Sequence, residues 1–483
     1  MSILKLASEV APFAKTGGLA DVAGGLTRDL YRRGCDVRLW MPLYRRVREG
    51  DMPIELDSEL GTVAFELGGR MWNFSIFRAA LPKSEARIYL ADCPELFDRE
   101  DIYGGDRDEP LRFAAFSRCA LEACERMSFY PDVIHCNDWH TSLVPLYFEA
   151  EYRVRRKWRG TRTVLTIHNI GYQGEYSSSH LDELGLDEHQ GLLHQGDLQR
   201  GRINFLRTGV IYANALTTVS ETYAREIQTP EYGMGLDDLL RSRADALIGI
   251  VNGVDYSEWD PRIDGLIHTN YSLDDLSGKQ ACKEDLLGSG GLKSEPAVPL
   301  FGIVSRLTAQ KGFELLGQAL SRLLDERELQ LAVLGSGEAQ YELFFQGLRN
   351  QYPEKVVFYA GYNNELAHQI EAGSDLFLMP SRYEPCGLNQ MYSLRYGTPP
   401  IVRKTGGLAD TVQPFDPQRG MGTGFVFEEF SADALYGSME QALDVYADED
   451  AWAKLVRNCM EADWSWDRQG ARYLELYEGL RSG

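Results

Sequence analysis

The chain lacks any window approaching the ~20 consecutive apolar residues of a membrane span. Its opening Met1-Ser-Ile-Leu-Lys5 has neither the basic segment nor the long apolar core of a secretory leader. The eight cysteines (Cys35, Cys93, Cys119, Cys124, Cys136, Cys282, Cys386, Cys459) are scattered without a C-x-x-C pair. That argues against a zinc ribbon or a disulfide frame and for reduced thiols. Positive charge is also in short supply: 50 Lys and Arg against 72 Asp and Glu leave −22. Such a surface repels nucleic-acid phosphates and anionic lipid but not a neutral polysaccharide. No G-x-G-x-x-G follows the first apolar run and no G-x-x-x-x-G-K-[ST] occurs, so nicotinamide hydride transfer and P-loop chemistry lose their signatures. The expectation is a soluble cytoplasmic protein with no nucleic-acid and no membrane partner.

What is present is a rhythm. A length of 483 residues suits two domains of roughly 200–250 residues, and short Val/Ile/Leu runs alternate with helical patterns, as in parallel α/β sheets. Strands are expected near Ile3–Val10, Asp36–Met41, Ala86–Ala91, Asp132–His135, Thr163–His168 and Ala215–Val219 in the first half. In the second half they recur near Ile248–Asn252, Pro299–Val304, Gln330–Leu334, Lys355–Ala360, Leu376–Met379 and Thr398–Val402. Lys311–Leu324 has helical spacing, with Leu315, Leu316, Ala319, Leu320 and Leu323 on one face. The fold class read from this is two doubly wound, Rossmann-like α/β domains, 1–248 and 249–466, hinged near Ala246–Gly253. Gly288–Pro299 reads as a surface loop, and 467–483 as a last helix that crosses back to the first domain.

One heptapeptide occurs twice: Lys15-Thr-Gly-Gly-Leu-Ala-Asp21 and Lys404-Thr-Gly-Gly-Leu-Ala-Asp410. In each copy a glycine pair lies between an expected strand and a helix, where backbone N–H groups are open to a phosphate or a sugar hydroxyl. One copy alone reads equally well as a tight turn. Two copies, one per domain, suggest loops facing each other across a cleft.

Ser305-Arg306-Leu-Thr-Ala-Gln-Lys311-Gly312 follows a strong strand, and two cations at the start of a helix oppose its dipole, which suits an anionic ligand such as a diphosphate. Pro380-Ser-Arg-Tyr-Glu384-Pro-Cys386-Gly387-Leu388-Asn389-Gln390 begins where another strand ends, at the sheet edge on which α/β folds bind ligands. Cys386 invites a nucleophile reading, but no His lies near it in sequence. His135-Cys-Asn-Asp138-Trp139-His140 and Thr166-Ile-His168-Asn169 lie where strands run out into loops. A metal site there lacks any recognised ligand spacing, whereas Asp, His and Asn at strand tips suit sugar hydroxyls. Trp139 fits either the core or a pyranose face.

These segments in this order resemble the bacterial glycogen synthase and plant starch synthase family from end to end. The likeness takes in Ser8-Glu9-Val-Ala-Pro-Phe-Ala-Lys15, Thr166-Ile-His-Asn-Ile-Gly-Tyr-Gln-Gly174, Asn204-Phe-Leu-Arg-Thr-Gly209, Thr218-Val-Ser-Glu-Thr-Tyr-Ala-Arg-Glu-Ile227 and Val251-Asn-Gly-Val-Asp255. The resemblance implies a glycosyltransferase-B fold and retaining transfer from ADP-glucose, less often UDP-glucose, to the non-reducing 4-hydroxyl of an α-1,4-glucan in glycogen biosynthesis. The sugar nucleotide is then a substrate, and neither a cofactor nor a metal is called for.

It further implies that Arg306 and Lys311 hold the donor diphosphate, helped by Lys15 and the backbone around Gly17, Gly18 and Leu388. His168, Asn252, Glu384 and the Cys386–Gly387 turn surround the transferred glucose. Asp138 lies at the reacting centre, Glu9 on the acceptor side, Asp21 on the donor side, and Tyr362 stacks on the base. Two departures stand out. Asn389 replaces a Thr of some relatives beside the phosphate, and Tyr392 occupies the place of a second glutamate in related transferases, so a paired-carboxylate mechanism is not expected here. The rivals are a same-fold transferase with a small acceptor, such as a sucrose or trehalose synthase, and a non-catalytic glucan-binding scaffold. Oligomeric state has no signature in the sequence.

Overall fold

A computed structural model describes residues 1–293, 295 and 297–482. Ser294 and Pro296 of the expected Gly288–Pro299 loop, and Gly483 at the end of the expected last helix, lie outside the described residues. The chain divides into two compact units: Met1–Val219 with Ala224–Gly253 and Trp466–Gly483, and Ser220–Tyr223 with Val254–Ser465.

The first unit is built on strands β1 (Ser2–Leu6), β2 (Asp36–Pro42), β3 (Glu55–Leu56), β4 (Thr62–Leu67), β5 (Arg70–Ala80), β6 (Arg87–Asp92), β7 (Val133–Asn137) and β8 (Arg162–Ile167). The short β9 (Glu175–Ser177) and β10 (Arg202–Asn204) pair only with each other, and β11 (Ala215–Thr218) and β12 (Leu247–Gly249) complete the set. The sheet order is β12-β11-β8-β7-β1-β2-β6-β5-β3, with β4 beside β5. From β12 to β6 every pairing is parallel, while β6-β5, β5-β3 and β5-β4 are antiparallel.

Three points differ from the expectation. The segment Glu55–Ala80 forms strands that were not anticipated, because β4 alternates exposed and buried positions and lacks the continuous apolar run used to find parallel strands. The first strand stops at Leu6, and residues up to Gly17 form the loop described below. The strand expected at Ile248–Asn252 is Leu247–Gly249 and pairs with β11, so it belongs to the first sheet rather than to the second half's.

The second unit is an all-parallel sheet of β13 (Leu300–Leu307), β14 (Gln330–Gly337), β15 (Val356–Ala360), β16 (Leu376–Met379), β17 (Pro400–Arg403) and β18 (Phe425–Phe427), ordered β15-β14-β13-β16-β17-β18. Its core joins strand residues such as Phe301, Ile303 and Val333 to Leu316, Leu320 and Leu323 of the helix Leu316–Glu326 and to Leu435 and Met439 of the helix Ala432–Tyr446.

The last helix, Trp466–Ser482, packs on the first unit. Trp466, Tyr473 and Tyr477 share a core with Ile3, Val22, Leu26 and Val133. Trp466 is seated against two glycines: a Cβ at Gly25 would lie 2.1 Å from its Nε1 and one at Gly253 2.5 Å from its ring. Removing a buried ring of this size leaves a cavity, so Trp466→Ala is expected to cost about 3–5 kcal/mol, read as a lower urea midpoint. An unchanged midpoint would mean that this helix is not part of the unit's core.

Candidate active site

In an open parallel sheet, ligands bind beyond the carboxyl ends of strands where successive connections leave in opposite directions. In the first unit that point lies at β1, between β2 and β7. In the second it lies between β13 and β16. Glu9, Lys15 and Asp138 follow strands at the first of these places, and Arg306, Lys311 and Glu384 lie at or after strands at the second. His168 follows β8, while Asn252 and Tyr362 lie beyond the edge strands β12 and β15.

After β1, Glu9 is buried and braces the loop that follows. Its Oε1 accepts from Thr16 Oγ1 at 2.7 Å and from Tyr103 hydroxyl at 2.5 Å, and its Oε2 accepts from the backbone N–H groups of Thr16 and Gly17. The helix Gly18–Arg32 has Gly17 at its cap position and so no side-chain cap of its own. Glu9 supplies the missing anionic acceptor from the preceding turn. A Cβ at Gly17 would meet nothing within 4 Å, which leaves this stretch of backbone open to approach. Lys15 reaches Asp21 at 2.8 Å.

Asp138 follows β7 directly and holds an uncommon positive φ of 55°. Its Oδ1 accepts from the N–H of His168 at 2.7 Å and of Asn169 at 3.4 Å, which ties the end of β7 to the end of β8. Burial raises the Asp138 carboxyl to about 7, against these two N–H groups and with a further push from the Glu9 charge. His168 is driven the opposite way, to about 3, by burial and by the Lys5 charge, so it is neutral at physiological pH. Asn137 donates its amide to Leu6 O at 2.8 Å, leaving its Oδ1 as acceptor for His168 Nε2–H at 3.0 Å and the ring lone pair on Nδ1. His135 and His140 do not join this pair. His135 lies between Thr166 Oγ1 (2.6 Å) and Tyr477 hydroxyl (2.7 Å), and His140 stacks on Tyr103 with ring centres 4.7 Å apart. Trp139 is buried among Phe113, Tyr176 and Phe205. Among the described residues no group of three His, Cys, Asp or Glu side chains is arranged to hold a metal ion. Asn252, also in this unit, is buried with an Oδ1 that has no hydrogen-bond partner among the described residues, a position in which a ligand hydroxyl would satisfy it.

In the second unit the expected helix start is corrected. Arg306 belongs to β13, Lys311 to a short 3₁₀ turn, and the α-helix begins only at Leu316. Gly312 interrupts with φ +72°, and a Cβ there would lie 2.0 Å from Pro380 O, so the chain turns sharply against β16 before the helix can form. The two cations therefore stand at a strand tip and do not oppose a helix dipole. Arg306 is exposed and its guanidinium makes no hydrogen bond or ion pair among the described residues. Lys311 Nζ lies 2.6 Å from Glu384 Oε2, which also accepts from Ser381 Oγ at 3.1 Å.

The second heptapeptide supports this loop from behind. A Cβ at Gly406 would lie 1.9 Å from Glu384 O and one at Gly407 2.1 Å from Cys386 O. Asp410 accepts from Thr222 N–H at 2.9 Å and Thr222 Oγ1 at 2.5 Å. Gly387 has φ +74°, Leu388 caps the helix Asn389–Arg395, and Asn389 donates its amide to Val304 O at 2.9 Å. Asn389 thus ties the helix to β13. Tyr362 is 77% exposed beyond β15. Tyr103, Asn137 and Ser381 bond to Glu9, His168 and Glu384; none stands out in the sequence, because each is an ordinary polar residue, and the partners of Tyr103 and Asn137 lie on other segments.

Known proteins match this arrangement along its whole length. Residues 2–242 match the starch synthase catalytic domain family and residues 291–458 the glycosyl transferases group 1 family. Glycogen synthase 1 of Geobacter sulfurreducens is 45% identical over 483 residues, covering 99% of this chain and 96% of its own. This chain belongs to the glycogen and starch synthase family. It is a glycosyltransferase. Glycogen synthase of Kosmotoga olearia is 42% identical, across 100% of this chain and 99% of its own. The catalytic domain of starch synthase IV from Arabidopsis thaliana, solved bound to ADP and acarbose, superposes with a TM-score of 0.92 at 34% identity, covering 100% of this chain and 99% of its own. Sucrose-phosphate synthase from Thermosynechococcus elongatus shares the fold at a TM-score of 0.62 and 17% identity. Within this family fold, Tyr392 serves the core: its ring lies flat on Trp259 at 3.9 Å, and Trp259 lies on His368 at 3.7 Å.

The raised Asp138 carboxyl has a stability consequence. An unfolded Asp ionises near 3.9, whereas the folded one holds its proton to about 7. Stability is therefore lost as pH rises between these values, by up to roughly 4 kcal/mol. Asp138→Asn is expected to raise the melting temperature at pH 8 and to lose that advantage by pH 4. A pH-independent difference between the two proteins would contradict the assignment.

Proposed function

We propose that this family member is a cytoplasmic glycogen synthase that moves glucose from ADP-glucose to the non-reducing 4-hydroxyl of an α-1,4-glucan with retention of configuration. The observation that carries the reading is the strand-tip trio of the second unit, Arg306, Lys311 and Glu384, standing where an α/β sheet takes its ligand. The exposed Arg306 guanidinium, without a partner among the described residues, offers paired N–H donors that match a phosphate. Lys311, fixed by Glu384, adds a point charge at a set position. As the glucose C1–O bond breaks, negative charge builds on the departing diphosphate. At roughly 4 Å and an effective dielectric near 20, each cation offsets about 4 kcal/mol of it before desolvation.

Glu384 and the N–H groups of the Cys386–Leu388 turn then hold the glucose, with Tyr362 against the adenine and Lys15 assisting at the diphosphate. The acceptor 4-oxygen bonds to C1 on the face the diphosphate leaves, and its proton passes to the departing phosphate oxygen. In the first unit, neutral His168 accepts or positions a sugar hydroxyl without adding charge. Asp138, titrating near neutrality, faces the positive charge that develops on the sugar. Asn252 has an acceptor for another hydroxyl. The ADP carried by the Arabidopsis relative supports ADP-glucose over UDP-glucose as donor, and that relative's acarbose supports a glucan acceptor.

Initial rates with labelled ADP-glucose or UDP-glucose, and with glycogen or free sugars as acceptor, test this. ADP-glucose with glycogen is expected to be the productive pair. Lys311→Ala and Arg306→Ala are each expected to lower kcat by about 100-fold, the scale of removing one preorganised charge-stabilising donor. Undiminished glucosyl transfer in both variants would remove the donor-site assignment.

A further inference from the structure

Two side-chain rungs join β7 to β8 on one face of the first sheet. The upper rung, Asn137 to His168, belongs to the site described above. The lower rung lies two residues back along each strand, and so on the same face roughly 7 Å beneath. In it His135 Nε2 meets Thr166 Oγ1 at 2.6 Å. None of the roles above uses this rung, and it does not end at β8. His135 Nδ1 meets the Tyr477 hydroxyl of the last helix at 2.7 Å, and Thr166 Oγ1 meets Thr217 Oγ1 of β11 at 2.6 Å. A line of four buried side chains thus runs from the last helix through β7 and β8 to β11.

The chemistry gives this line a direction. Burial, with the Lys5 charge, holds His135 well below the usual histidine range, so the ring is neutral. One ring nitrogen then donates and the other accepts. Burial pushes the Tyr477 hydroxyl up, so it keeps its proton. A phenol is a better donor than an aliphatic hydroxyl, so Tyr477 donates to Nδ1 and the Nε2–H donates to Thr166. Thr166 in turn donates to Thr217.

For stability alone such a line is dispensable, because apolar side chains of the same shape serve a core nearly as well. What hydrogen bonds add is position, since their length and angle fix a height along the strand that apolar contact leaves free to slide. That height bears on the site. Thr166 O accepts from the Asp138 N–H at 2.9 Å, and Asp138 Oδ1 accepts from the N–H of His168, two residues beyond Thr166, at 2.7 Å. The register of β7 against β8 therefore sets how Asp138 meets His168. A displacement of ~1 Å at a reacting centre can cost on the order of 100-fold in rate.

We propose that Tyr477 and His135 are positioning residues for glucosyl transfer, acting through Thr166 to hold the ends of β7 and β8 in register beneath Asp138 and His168. The last helix then serves the site as well as the core. The proposal rests on the glucan-synthesis reading above.

Steady-state kinetics with ADP-glucose and glycogen, joined to NMR of the full-length protein labelled in its histidine rings, test it. Tyr477→Phe removes only a hydroxyl and is expected to lower kcat about tenfold with both KM values unchanged. Thr166→Val lowers kcat to the same extent, whereas Thr166→Ser keeps the hydroxyl and the wild-type kcat. Adding Tyr477→Phe to Thr166→Val costs nothing more, because the two act through one line. In Tyr477→Phe the ring signals of His168 move together with those of His135. Packing damage alone would add up in the double variant and leave the His168 signals in place. Either of those results overturns the proposal, as does an unchanged kcat in Tyr477→Phe. If the wild type transfers glucose from neither sugar nucleotide, the functional reading fails and the spectra decide the line. His168 signals that move in Tyr477→Phe then support it, and signals that stay overturn it.

Discussion

A strand in a parallel sheet cannot turn straight back; its chain must cross over a face before the next strand can begin. Where two such crossovers leave neighbouring strands in opposite directions, the carboxyl ends stay uncovered. Each unit of this protein has one such place, at β1 in the first and between β13 and β16 in the second. Glu9, Lys15, Asp138, Arg306, Lys311 and Glu384 lie at or just after the strands that flank them, whereas Asn252 and Tyr362 follow edge strands. The site groups stand where the topology leaves backbone and side chains unburied by crossovers, and the surrounding packing fixes their charge states.

The duplicated heptapeptide shows how context divides one sequence between two tasks. In the first copy the glycine backbone at Gly17 is open, braced from behind by Glu9. In the second copy Gly406 and Gly407 are pressed against Glu384 and Cys386, so their missing side chains permit close packing rather than ligand approach. Burial works with similar selectivity on charge. It keeps the Asp138 proton to about 7 and strips that of His168 down to about 3. The first unit thus carries a neutral His168 beside an Asp138 that titrates near neutrality.

Much of this was legible in the sequence. Apolar runs bounded by turns located the parallel strands, because strands covered on both faces are apolar throughout. The site blocks stood out because glycine pairs, strand-tip Asp and His, and isolated cations are poor choices for structure alone. The rest needed three dimensions. The strands of Glu55–Ala80 alternate polar and apolar residues and so escaped a search for continuous runs. The helix after Lys311 was placed too early because the leucine spacing continued through a left-handed glycine. Tyr103 and Asn137 orient their partners across 94 and 31 residues of chain, and no periodicity encodes such pairs.

The central claim is that the cations at the tip of β13 receive a sugar-nucleotide diphosphate. A crystal structure of the protein with ADP tests it most directly. The account predicts diphosphate oxygens within hydrogen-bond distance of both the Arg306 guanidinium and Lys311 Nζ. ADP bound with its phosphates away from both side chains would contradict it.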